Sequence, residues 1–212
     1  MANQLDIRLH ALKGVDAILA ALQTTFSNPK LLGLDETYFY SGDVKTSPVW
    51  ICDPQSKTGF ERGSNRMLIT VSRGEFQPND MHMQNRGQSA SFSSSTQSFT
   101  DMCTTPVYIS CEAGNSVQSE MLASVVYQIL KFFRQDLMTE FDLFHLTVSG
   151  ISSPAQASGT VGSPWITTVS VRLQTQEMFQ LTQLTNDVNR VKIVAQIKDA
   201  ARVLVDEQVV MD

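Results

Sequence analysis

Residues 107–133, "VYISCEAGNSVQSEMLASVVYQILKFF", constrain the fold more than any other stretch, because their hydrophobic period changes once. Val107, Ile109 and Cys111 alternate with Tyr108, Ser110 and Glu112, the period of a half-buried strand. After "AGNS" the apolar residues fall into two helical rows. One is Val117, Met121, Val125 and Ile129; the other is Leu122, Val126, Leu130, Phe133 and Leu137. A stripe that wide is expected to cover a sheet. Asn115 or Ser116 is placed to N-cap the helix, and Gln118 stands where a capping box needs it. Glu120 in the first turn, with Lys131 and Arg134 late in the helix, complements the helix dipole. The polar cluster after Cys111 therefore has a structural use: a strand ends, a turn is capped, and a core helix runs to about Met138.

The rest of the chain supplies partners for that unit. Residues 5–26 read as a helix, with Leu5, Leu9, Leu12, Leu19, Leu22 and Phe26 near helical spacing and Gly14 as its one weak position. "SNPK" ends it. Strands are expected at 36–41, 48–53, 66–73, 143–151 and 165–173, the last with Trp165, Thr167, Val169, Val171 and Leu173 on one face. From Gly74 to Pro106 the pattern is irregular and polar, either an extended β-arm or a Ser-rich loop. Residues 178–212 are ambiguous: "MFQLTQLTNDVNRV" is compatible with a helix, and residues 191–210 fit two strands or one helix. Regular βα alternation is absent. The expected fold is α+β: a mainly antiparallel sheet packed by an N-terminal helix and a long central helix, with an extended polar arm. The expected division is one domain over 1–176, its arm at about 77–105, and a C-terminal extension over 177–212.

Composition narrows the function. Charged residues are 17% of the chain and the net charge is −5, with no run of Lys or Arg, which disfavours phosphate-neutralising binding to nucleic acid or an anionic membrane. Ser, Thr and Gln fill the deficit, as on surfaces that pack against neighbours. The first ten residues carry no secretory signal pattern, and no apolar run approaches the ~18 residues of a membrane span. The reading is a soluble chain made in a cytoplasm. Three widely spaced cysteines, Cys52, Cys103 and Cys111, imply reduced thiols.

The motifs of common chemistry are missing. The sequence has no Cys-x-x-Cys, His-Glu-x-x-His, phosphate-binding glycine loop or G-x-S-x-G elbow. His10 reads as an exposed or core-edge residue and His145 as structural; Met81-His82-Met83 has soft-metal ligand types but no second cluster, and reads as a chance grouping in a loop. An enzyme would have to use Cys111 or Ser116. Cys111 shares a face with Val107 and Ile109 and has Glu112 beside it; both neighbours oppose a reactive thiolate. The reading is that the chain is not an enzyme and needs no metal or cofactor.

The order "ITVSRGEF" (69–76), a polar arm ending in "FTDM" (99–102), then "PVYISCEAGNSVQSEMLASVVYQILKFF" resembles the tail-terminator or neck proteins of tailed bacteriophages. "FHLTVSGISSPAQ" (144–156) and "PWITTVSVRLQTQ" (164–176) are similar to that family's last two strands. The chain departs from the pattern in 77–98 and in 177–212. The resemblance implies a homo-oligomeric ring, usually a hexamer, at the head-proximal end of the phage tail within the virion. Such a ring ends growth of the tail tube, meets the neck or head-completion proteins, and in contractile tails holds the last sheath ring. Genome DNA would pass through its lumen without specific binding. A head-completion or connector protein of the same particle is the alternative. The resemblance brings no catalytic residues. On the arm, Phe92, Phe99, Asp101 and Met102 are the candidate contacts with neighbouring subunits.

Overall fold

The computed structural model describes residues 10–54, 66–78, 96–141, 143–158, 162–183 and 191–195. In chain order the main elements are α1 (His10–Phe26), β1 (Val49–Cys52), β2 (Met67–Arg73), β3 (Gln77–Pro78), β4 (Thr96–Ala113), α2 (Ser116–Phe132), α3 (Arg134–Glu140), β5 (His145–Ile151), β6 (Ala155–Gln156), β7 (Trp165–Gln183) and β8 (Val191–Ala195). One sheet runs in the order β1-β2-β4-β7-β5, with β3 on β4 and both β6 and β8 on β7. Only β1 and β2 are parallel among the described pairs; the others are antiparallel. The mixed helix-and-sheet character expected from the sequence is thus observed.

Alternation fixes which face is covered. Val107, Ile109 and Cys111 of β4 stand in register with Val171, Val169 and Thr167 of β7, and all six are buried. α1 lies against β1, β2 and β7, and α2 against β4, β5 and β7. Ile18, Leu22 and Phe26 of α1 meet Leu122, Val126 and Leu130 of α2 in one apolar cluster with that face. Each fully buried side chain of this kind contributes roughly 1.5–3 kcal/mol. Gly14 is more than a weak helical residue: a Cβ there would come within 3.0 Å of Leu173 Cδ1 and 3.2 Å of Leu143 Cδ2, so glycine lets α1 settle close to the sheet. The opposite face is wetter, with Tyr108 and Arg172 exposed, although Glu112 and its register neighbour Leu68 are buried there.

Several boundaries differ from the sequence reading. Residues 36–41 are not a strand. Glu36–Tyr38 is a 3-10 helix, followed by extended chain in which the Val49 N–H donates to the Phe39 carbonyl. The aromatics there alternate like a strand, but Tyr38 and Tyr40 pack on the core edge and Tyr40 lies 5.5 Å from the Trp50 ring. The central helix stops at Phe132 rather than Met138, and α3 starts after Phe133. The break brings Leu137 into the core. Residues 178–183 are strand, not helix, because β7 continues to Gln183 against the similarly long β4. The boundary expected at 176/177 lies within β7. Of the two readings for 191–210, strand applies at Val191–Ala195 and the remainder lies outside the described residues, as do residues 5–9 of the first helix.

Two local features carry predictions. The Gly74 N–H donates to the Pro106 carbonyl at 2.8 Å, and a Cβ at Gly74 would meet Pro106 Cγ at 2.7 Å and Tyr108 Cε2 at 2.9 Å. The proline ring cannot swing away, so Gly74→Ala is expected to cost about 1–3 kcal/mol in thermal unfolding. The 41–47 turn is held by Asp43, which accepts from the Lys45 N–H at 2.9 Å and the Thr46 hydroxyl at 3.1 Å. Those bonds hold its carboxyl below the ordinary value of 3.8. A lowered folded-state value stabilises the turn above the unfolded pKa, and that contribution disappears as pH falls through the folded one. Carboxyl chemical shifts should therefore show Asp43 titrating below 3.8, and Thr46→Val should move it back up.

Candidate functional site

From Thr96 onward the arm is a continuation of the sheet. β4 and β7 pair without interruption from Ala113↔Trp165 to Thr96↔Thr182. Near the core, β4 is flanked on its other edge by β2 at 107–112 and by β3 at Cys103 and Thr104. Over 96–102 the described residues place nothing on that edge. On its side away from β4, the far end of β7 is flanked among the described residues by β8, from Phe179↔Ala195 to Gln183↔Val191. The five-strand body therefore narrows to a three-strand ribbon, and 96–102 alone spans about 20 Å at ~3.3 Å per residue.

Three of the four arm residues singled out in the sequence lie on this ribbon. Phe99 is opposite Phe179, Asp101 opposite Glu177, and Met102 opposite Gln176. Phe92 lies outside the described residues. Of the two readings for this stretch, β-arm holds from Thr96 onward.

A second surface was misread. Val117 and Met121 do not roof the sheet; they are 64% and 54% exposed. α2 instead buries Ser119, Leu122, Ala123, Val126, Ile129 and Leu130. Small side chains at 119 and 123 let the helix approach β7, where the Ser119 and Thr167 hydroxyls sit 3.0 Å apart. Ser119 also donates to the Ser116 carbonyl, so the buried hydroxyl is satisfied. A helix has one sheet-facing side, and that packing turns Val117 and Met121 of the other apolar row outward, while Ile129 further along it stays buried. Apolarity alone could not choose between the rows; the small residues at 119 and 123 were the available signal. The cap was legible: the Asn115 side chain accepts from the Gln118 N–H at 2.8 Å.

Val117, Met121 and Val125 line one side of a groove of about 560 Å³, with Leu34 and Tyr38 also in its lining. Its charged lining residues are Asp35 and Glu120. Partial burial, and secondarily Asp35, push the Tyr38 phenol up, so it stays a neutral donor at physiological pH. The segment that follows Tyr38 is tied together by its own bonds. Buried Ser47 donates to the Val49 carbonyl and accepts from the Ser41 N–H, while Arg66 donates to the carbonyls of Val44 and Ser47.

Cys111 is fully buried, as its alternation predicted, and burial pushes its thiol far above the usual range. Cys52 and Cys103 are each 3% exposed. A thiol-specific chromophore at pH 8 should therefore label no cysteine rapidly in the native chain and all three after denaturation. Rapid native labelling of Cys111 would revive a nucleophilic role. His145 accepts from the Arg134 guanidinium at 3.3 Å through Nδ1, a contact that needs that nitrogen unprotonated. His82 lies outside the described residues, and among those described no cluster of His, Cys, Asp or Glu is arranged to hold a metal. None of the described helices is long and apolar enough to cross a membrane. The chain matches no protein-family profile and no curated protein sequence.

Proposed function

We propose that the chain is a structural virion protein that forms a ring at the head-proximal end of a phage tail. There it ends the tail tube and joins it to the neck or head-completion proteins. The carrying observation is the β4–β7 ribbon, which leaves the helix-covered body with unpaired strand edges among the described residues. Exposed edges invite pairing with another chain, and a ring of copies satisfies them in a closed structure. The sequence pattern over 66–176 supplies the family context. A hexamer is the expected assembly. The tube protein, the neck protein and, in a contractile tail, the sheath are its neighbours, and its net charge of −5 suits a lumen that lets DNA pass.

Light scattering combined with negative-stain imaging tests this. The expected result is a closed particle with a central hole and a mass close to six chains. A chain that remains monomeric from micromolar to millimolar concentration overturns the ring.

A further inference from the structure

We infer that the groove beside α2 receives the outer strand of the arm, β8, from a second copy of this chain. The inference rests on the ring reading and specifies its subunit contact.

Reach is the first argument. α2 starts three residues after Ala113, so Val117 and Met121 lie at the Ala113–Trp165 end of the sheet. β8 pairs at the opposite end, beside residues 179–183. The β4 stretch between those ends spans about 56 Å at ~3.3 Å per residue, and it is paired to β7 throughout. A hydrogen-bonded ribbon of that length does not double back onto its own groove. A neighbouring copy meets no such restriction.

Charge is the second argument. The groove lining includes Asp35 and Glu120 and no cation. The sequence around β8, "RVKIVAQIKD" (190–199), carries Arg190, Lys192 and Lys198 against one acid, Asp199. Its other residues are mostly Val, Ile and Ala, which match the apolar lining. The exposed Met121 in that lining suits an entering segment because its thioether chain adapts to the shape it meets. Complementary charge at a rim sets register and discourages wrong partners.

Symmetry is the third. Groove and arm are different surfaces at opposite ends of one molecule, so their contact is head-to-tail. Contacts of that kind close into rings when the rotation permits. Among the described residues β8 pairs only with β7.

The test uses the full-length chain. Met121→Glu and Lys192→Glu, made singly, are expected to raise the assembly Kd about tenfold or more. Pairing Lys192→Glu with Glu120→Lys should recover most of that loss. Circular dichroism should be unchanged because Met121 and Glu120 are exposed. A photo-crosslinking residue at position 121 should yield a dimer band whose joined peptide contains 190–198. Three results overturn the inference. If both single variants assemble as the wild type does, the docking is wrong while the ring stands. If the crosslink to 190–198 appears within a monomer, the groove is filled by the chain's own arm. If the wild type is monomeric, the ring reading fails and the docking fails with it.

Discussion

Alanine at Phe26 is expected to remove about 3–5 kcal/mol of stability, the range for deleting a buried aromatic ring. Phe26 is fully buried, and it joins three parts of the molecule. Its ring belongs to the apolar cluster that α1 and α2 form on the sheet. Its carbonyl accepts from the Tyr40 N–H at 3.0 Å, which ties the end of α1 to the segment leading into β1. Truncation leaves a cavity between a helix and a sheet that are both held by other contacts, so collapse is limited and the cost lies toward the upper end. For a chain of this size the melting temperature should fall by roughly 10 °C. Phe26→Leu should recover more than half of the loss. A fall under about 1 kcal/mol would mean that α1 is not fastened to the body as described.

Deleting residues 79–98 is expected to abolish assembly and leave the body folded. Pro78 pairs with Cys103 across β3 and β4. Joining Pro78 to Phe99 leaves residues 99–102 to connect that pair, a four-residue hairpin loop of ordinary length. The new loop takes 99–102 out of their pairing with β7, and the ribbon loses one edge. The core cluster lies outside the deleted stretch, so the melting temperature should change by only a few degrees. Light scattering should then report a monomer. Normal rings from the deletion would make the arm dispensable and remove the main support for the proposed function.

Much of this architecture could be read from the sequence where two signals agreed. Asn115 and Gln118 coincided with the onset of helical periodicity, and the cap is found where they put it. Val107, Ile109 and Cys111 alternated, and all three are buried. The reading failed where one signal stood alone. Tyr38 and Tyr40 alternate in a segment whose backbone turns, because packing at the core edge rather than pairing decides their position. Residues 178–183 carry no strong local preference, and the distant β4 determines their conformation. Of the candidate arm contacts, Phe99, Asp101 and Met102 gather on one ribbon. The groove could not be located beforehand, since it depends on which of two apolar rows turns to the sheet.

The register of β4 with β7 also bears on how the chain must be made. Ala113 waits for Trp165 and Thr96 for Thr182, so β4 leaves the ribosome long before its main partner exists. At roughly 5–20 residues per second, that delay is on the order of several seconds. Throughout it, one side of a long strand has no mate, and nascent chains on the same messenger carry identical unmated strands close by. Overproduction should therefore be limited by the traffic of half-made chains rather than by the stability of finished ones. Less frequent initiation, which spaces the nascent chains on a messenger, and abundant holdase chaperones should raise the soluble yield more than any stabilising substitution in the core.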